Sequence, residues 1–446
     1  MVLWFRRDLR LADHPALGAA LAAARSADDE VVALFVVDPT LWRSGPRPAY
    51  LARSLRALDG ALGGLLVVRH GPPEVVVPAL VQEVGASAVH VTAATEPYGR
   101  RRDAAVERSL KVPLVRTGSP YAVAPGRLRT RGGTPFQVFT PFRTAWLDHG
   151  WAAPAPRTRD VPWARVRSDG VPDEPPTDVD LPAAGERAAH GRWAAFLRDG
   201  LDDYRWARDR PDLSGTSSLS VPLKYGEVHP RSLLADLAAS PADPRSVATF
   251  RSELAWREFH ADVLWHHPGA AHRSLRAVVP DDAWASGVAA DDAFTAWADG
   301  RTGYPFVDAG MRQLRATGWM HNRVRMVVAS FLVKDLHVRW QRGAEHFMRW
   351  LVDGDVPQNQ LNWQWVAGTG RDAAPYFRVF NPVTQGEKFD PDGEYVRRWV
   401  PELRGIAGAA VHQPWRLGAA APDDYPARLV DHATERRVAL DDFGRR

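Results

Sequence analysis

The sequence predicts an α/β domain built on a Rossmann-like parallel sheet, followed by an all-α domain. Three observations predict it. Short apolar runs alternate with helical patterns over residues 1–148. A stretch rich in Pro, Asp and Arg, Trp151 to Pro182, then interrupts all periodicity. Beyond Gly185 the pattern is helical throughout, with no clear strand signal.

In the first part, Val2 to Phe5, Val31 to Val37, Leu65 to Val68 and Ala88 to Val91 are continuous apolar runs. Runs of that length bounded by polar, Gly or Pro residues are buried strands. Pro15 to Arg25, Pro48 to Gly60 and Glu74 to Val84 carry helical spacing between them. Strand–helix alternation implies parallel strands covered on both faces. No G-x-G-x-x-G follows the first strand, so the usual dinucleotide fingerprint is absent. The Pro-rich stretch is a surface linker over residues 149–184. The helical domain covers 185–440, with helices expected over Ser246 to Leu264, Val307 to Ala316, Asn322 to Leu336 and Gly343 to Leu351. The tail after Gly408, rich in Ala, Pro and Asp, is expected to be loosely packed.

Length agrees with more than one domain. A single core stops growing at roughly 250–300 residues, and this chain has 446. There is no cysteine, which excludes disulfides, thiolate nucleophiles and iron–sulfur sites. No run of about 18 apolar residues is present, so no membrane span is expected. Arg6, Arg7, Asp8 and Arg10 follow the first apolar run, whereas a signal peptide puts its charge first. A cytoplasmic setting follows as an expectation. The net charge is only +4, so nucleic-acid binding would need a local basic patch.

Four polar constellations stand out in the helical part. Thr216, Ser217, Ser218, Leu219 and Ser220 place four hydroxyls before a helical stretch, which suits a phosphate or an ordinary cap. Glu253, Trp256 and Arg257 fall at i, i+3 and i+4, on one helix face. They form a polar pocket with an aromatic wall, or an amphipathic helix with an internal ion pair. The run from Trp319 to Met326 contains Asn322, Arg323, Arg325 and two methionines. Arg clamps phosphate and Asn reads a base edge; the alternative is helix capping by Asn322 with solvated arginines. Asp353-Gly354-Asp355, followed by Asn359, Trp363 and Trp365, could accept hydrogen bonds from a ligand or, with no EF-hand register, form a plain turn. No metal is expected.

The order and wording of these motifs resemble one family. VLWFRRDLRLADHPAL at the N-terminus, TGYPFVDAGMRQLRATGWMHNRVRMVVASFLVKDL and NWQWVAGTGRDAAPYFRVFNPVTQGEKFD are similar to the photolyase/cryptochrome family over roughly Val2 to Leu403. Within it they resemble the class I branch that repairs cyclobutane pyrimidine dimers. The resemblance implies an α/β antenna domain, a linker and a helical FAD-binding domain. It implies a carbon–carbon lyase reaction: excited, reduced FAD gives an electron to a dimer flipped out of DNA, and both cyclobutane bonds break.

Carried over by position, the resemblance assigns Tyr204 and Thr216 to Ser220 to the FAD phosphates, with Arg257 assisting. Asp353 and Asp355 face the ribose and ring of a folded FAD, Arg325 pairs with Asp353, and Asn359 sits near flavin N5. Asn at that position supports the reduced states that repair requires. Trp363, Trp340 and Trp284 form an electron relay. Extra residues between Asp281 and Asp292 leave Trp297 as a competing assignment for Trp284. Glu253, held protonated, Trp256, Asn322, Met326 and Trp365 form the lesion pocket. Arg323, then Lys388 and Arg397, grip DNA phosphates.

Two other members of the family remain as alternatives. A (6-4) photolyase places a His pair in its pocket, where this chain has WMHNRVRM. A cryptochrome sensor usually carries a long regulatory tail. For the antenna, Tyr98-Gly99 stand before Arg100-Arg101-Arg102-Asp103, without the acid found in folate-using relatives. The expected chromophore is 8-hydroxy-5-deazaflavin, with methenyltetrahydrofolate or none as alternatives. The partner implied is damaged DNA, bound by a monomer.

Overall fold

The first strand is as apolar as a parallel sheet demands. Val2 to Phe5 are all buried in β1, and the same holds for β2 (Val32–Val37). This is a computed structural model, and it describes residues 1–42, 45–372 and 378–444. Residues 373–377 of the third family motif therefore lie outside the described residues.

The chain divides into two compact units. One comprises Met1–Thr177, Leu181–Asp202 and Ser217–Pro268. The other comprises Asp178–Asp180, Asp203–Thr216 and Gly269–Arg446.

In the first unit α1 (Pro15–Ala27), α2 (Pro46–Ala61), β3 (Leu66–His70), α3 (Pro73–Val84), β4 (Val89–Val91), α4 (Pro97–Ser109) and β5 (Leu114–Arg116) follow β1 and β2. The sheet is parallel throughout, in the order β3-β2-β1-β4-β5. The order in which strands are added therefore reverses between β1 and β4, where Val2 pairs with Val32 on one side and Val89 on the other. The four expected strands are present within two residues of their ends. β5 and α4 were not foreseen: three residues are too few to show a period, and α4 is dominated by charge (PYGRRRDAAVERS). The unit is completed by α5 (Phe139–His149), α6 (Glu186–Asp199), α7 (Ser220–Tyr225), α8 (Pro230–Ala239) and α9 (Pro244–His266).

The second unit is helical. It contains α10 (Val288–Ala298), α11 (Pro305–Thr317), α12 (Asn322–Ser330), α13 (Trp340–Trp350), α14 (Val356–Ala367), α15 (Pro382–Phe389), α16 (Glu394–Trp399) and α17 (His432–Gly444). The helix expected from Asn322 to Leu336 ends at Ser330, and Phe331–Asp335 forms a π-helical turn. Lys334 and Asp335 are both buried in that turn. Burial pushes the Lys334 ammonium down to about 7.

The tail corrects another expectation. It is packed, with Val411 and Tyr425 in the helical core and polar contacts beside them. Tyr425 donates to Asp308 Oδ2 at 2.6 Å. Tyr304 donates to the Val430 carbonyl at 2.8 Å. His432 pairs with Asp335, and His337 with Glu435 at 2.9 Å. Apolar periodicity is silent about such anchors.

Candidate functional site

In the second unit, α12 and α14 each turn a stripe of mixed polar and apolar side chains toward one cavity that opens to solvent. Asn322, Arg325, Met326 and Ala329 come from α12, and Asn359, Asn362, Trp363 and Val366 from α14. Both sets are spaced i, i+3, i+4, i+7, which is one face of a helix. Phe347 of α13 and Leu351, which caps its C-terminus, add an apolar wall. Asp353 and Asp355 arrive on the turn that leads into α14.

Local chemistry fixes each group. His321, and not Asn322, caps α12: its Nδ1 accepts from Arg323 N at 3.2 Å. Asn322 is instead the exposed first helical residue, which corrects the capping alternative. Burial holds the His321 imidazole down at about 4, so the ring is neutral and Nδ1 is free to accept. Asp355 caps α14. Asp353 is buried. Its Oδ2 accepts from Arg325 Nη2 at 2.8 Å, and Arg325 Nε is held by the Met320 carbonyl at 2.8 Å. Asp353 Oδ1 is buried without a hydrogen-bond partner among the described residues. An orphaned carboxylate oxygen costs about 1–3 kcal/mol or more, so a donor belongs there.

Asn359 is oriented by its surroundings. Its Nδ2 donates to the Ala344 carbonyl at 2.9 Å and to Gln360 Oε1 at 2.8 Å. A carbonyl only accepts, so the amide nitrogen faces it and Oδ1 turns the other way. Trp363 packs closely against Gly343, where a Cβ would stand 2.2 Å from its ring. Its ring meets Phe347 edge-on at 5.0 Å.

The remaining candidates in this unit are placed as follows. Trp340 is buried and donates to Ser274 Oγ at 2.9 Å. Trp284 is half-buried, with the Arg339 guanidinium 5.8 Å from its ring. Trp297 is fully buried, 6.2 Å from the Trp363 ring. Trp365 is half-buried against the helical core. Tyr204 is buried, with Arg208 5.7 Å over its ring, and Thr216 is half-buried. Arg323 pairs with Asp209 at 2.6 Å and lies 4.6 Å from the Phe389 ring. Lys388 lies 5.1 Å from the same ring. Arg397 has its fork engaged by the Ile406 carbonyl at 3.1 Å and Glu394 at 2.6 Å.

In the first unit, Glu253, Trp256 and Arg257 are half-buried on α9. Arg257 donates to the Pro120 and Leu223 carbonyls at 3.1 and 3.2 Å. Ser218 is exposed with a positive φ of 50°, Leu219 is buried and Ser220 opens α7. Tyr98 donates to Asp38, and burial pushes its hydroxyl up to about 12. Arg6 and Arg102 each reach Asp103 at 2.8 Å.

The structure thus gathers seven of the expected residues at one cavity: Asn322, Arg325, Met326, Asp353, Asp355, Asn359 and Trp363. Phe347 and Leu351 are further lining residues that the sequence reading does not single out. Among the described residues, no group of three or more His, Asp or Glu is placed to hold a metal ion.

A concave site with an apolar wall and a few converging polar groups suits a small molecule or cofactor. Its apolar wall, orphaned acceptor and anchored carboxamide suit a flat, polar ring carrying an N–H donor. Residues 250–445 match the family described as FAD binding domain of DNA photolyase, so the helical part defines a flavoprotein. Residues 1–160 match the family described as DNA photolyase. The chain belongs to the DNA photolyase family. The deoxyribodipyrimidine photo-lyase of Streptomyces griseus is 43% identical, over 98% of this chain and 97% of its own. A bacterial class III photolyase from Agrobacterium tumefaciens is 35% identical, with a TM-score of 0.89 over 99% of this chain and 96% of its own. A Synechocystis sp. PCC6803 cryptochrome is 28% identical, with a TM-score of 0.91 over 99% and 98%.

Proposed function

We propose that this chain repairs cyclobutane pyrimidine dimers in DNA in a light-dependent reaction, by electron transfer from excited, reduced FAD to a flipped-out dimer. The observation that carries the reading is the Asp353 carboxylate, fixed by Arg325 and left with one buried oxygen facing no donor. When bound, FAD supplies light absorption and the transferable electron. The chain's own residues bind, orient and shield.

Asp353 and Asp355 face the ribose and ring of the flavin, Arg325 pairs with Asp353, Asn359 sits near flavin N5, and Tyr204, Thr216 to Ser220 and Arg257 hold the FAD phosphates. Glu253, Trp256, Asn322, Met326 and Trp365 receive the dimer. Flipping costs a few kcal/mol and least for a base that already pairs badly, which contributes selectivity. Arg323, which in the free protein pairs with Asp209, contacts phosphate, with Lys388 and Arg397 as weaker candidates. Trp363, Trp340 and Trp284 carry the relay. The functional division is an antenna domain at 1–148, a linker at 149–184 and the FAD domain at 185–440. The antenna chromophore proposed is 8-hydroxy-5-deazaflavin, to be identified by the absorption that remains once FAD is removed. The protein acts on DNA as a cytoplasmic monomer.

The test uses FAD-loaded, photoreduced protein with DNA carrying dimers and, separately, (6-4) products. Light is expected to restore the first and leave the second unchanged. Restoration of only the second would make it a (6-4) enzyme. Restoration of neither would favour a light sensor, the reading that the cryptochrome likeness also supports.

A further inference from the structure

Trp256 does not stand alone on α9. Its indole lies on the Phe139 ring with centroids 3.6 Å apart and planes 9° from parallel. Free aromatic pairs prefer offset or edge-on arrangements, so a face-to-face sandwich is imposed by what surrounds it. Phe259 meets both rings edge-on, at 5.9 Å and 5.7 Å. His260 lies 5.5 Å from the indole. Phe139 opens α5, and the buried stripe of that helix continues through Phe142 to Trp146.

The far end of the same stripe is bolted to α9. Trp146 donates from Nε1 to Glu258 Oε2 at 2.6 Å. Glu258 also accepts from Ala122 N at 2.5 Å and Val123 N at 2.9 Å. Glu258 lies two residues beyond Trp256, and it is almost wholly buried. Two contacts, one at each end of α5, therefore set the spacing between α5 and α9. A carboxylate holding three N–H groups is a stiff joint, because releasing any one of them strands a buried donor.

We propose that Phe139 is a specificity-determining positioning residue, which occupies one face of Trp256 so that the indole offers a single, pre-ordered face to the pyrimidine dimer. Glu258 maintains that arrangement through Trp146. This rests on the proposed meeting of Trp256 with the lesion. A Trp immobilised before binding loses less rotamer freedom when a base arrives, and base stacking on an aromatic ring rewards a fixed plane. Phe139 touches no DNA in this scheme; it acts through the indole.

The experiment compares Phe139→Leu, Phe139→Trp and Trp256→Ala in the FAD-loaded full chain. The readout is the ratio of affinities for dimer-containing and intact duplexes, with tryptophan fluorescence recorded on binding. Phe139→Leu is expected to lower the ratio about tenfold, leaving intact-duplex affinity within about twofold. Phe139→Trp, which keeps a flat partner, is expected to rescue the ratio. A ratio unchanged in Phe139→Leu overturns the proposal, and so does Phe139→Trp failing as badly as Leu. If Phe139→Leu does not fold, the Phe139→Trp result decides. If Trp256→Ala itself leaves the ratio intact, the placing of Trp256 at the lesion is what fails.

Discussion

Asp353 and Arg325 show how one pair of side chains can define a ligand's chemistry. The ion pair is half satisfied from within: one carboxylate oxygen has its guanidinium, the other has no hydrogen-bond partner among the described residues. Asp353→Asn keeps the shape and removes the charge. It is expected to weaken FAD binding by about tenfold or more, since hydrogen bonds to charged groups contribute about 1.5–3 kcal/mol. Titration of the apoprotein with FAD, followed by flavin fluorescence, checks it; unchanged affinity would remove Asp353 from the site. The Asp-Gly-Asp turn was visible in the sequence as a candidate. What was not visible was which oxygen would be left unpaired, because that depends on Arg325, 28 residues away.

At the scale of elements, α12 and α14 place the site because both keep a 3.6-residue period through polar positions. The entry of α12 depends on His321. Its folded pKa lies near 4, below the ordinary value of about 6.5. Between those values the unfolded chain binds a proton that the folded chain refuses, so stability rises with pH from 4 to 6.5 and falls on acidification. The full effect is on the order of 3 kcal/mol. His321→Asn keeps an N-cap side chain and cannot titrate. The difference in urea-unfolding free energy between the two proteins should therefore change across pH 4–6.5 and be flat above pH 7. A flat difference throughout would mean that His321 titrates normally. The helix itself was legible from its spacing; its cap was not, because His is outside the preferred N-cap set. The π-helical turn after Ser330 escaped for a similar reason: the sequence period continues where the backbone departs from it.

At the scale of the whole molecule, the chain closes on itself at its C-terminal segment. Tyr425, Val430, His432 and Glu435 are anchored to Asp308, Tyr304, Asp335 and His337. Asp308 and Asp335 are buried, and burial raises both carboxyls. Tyr425→Phe is expected to cost about 1–2 kcal/mol. Removal of residues 421–446 should cost more than that single change, because several acceptors lose partners together. Urea unfolding of the three proteins checks the ranking; a truncated chain as stable as the full one would show that the tail contributes nothing. An Ala-, Pro- and Asp-rich tail looks loose in sequence because its anchors, Val411 and Tyr425 in the core with Trp415, Leu417 and Val430 against it, are too scattered to show a period.

By itself, the sequence determined the alternation of buried strands and helices, the place where that alternation ends, and the family motifs. These are local properties, written in spacing that a few consecutive residues can carry. Only the tertiary structure decided which polar groups are engaged inside the fold and which are left to meet a ligand. It paired Arg323 with Asp209, closed the Arg397 fork and laid Phe139 on Trp256. Those choices join residues far apart in the chain, and a side chain's partner follows from packing rather than from its neighbours in sequence.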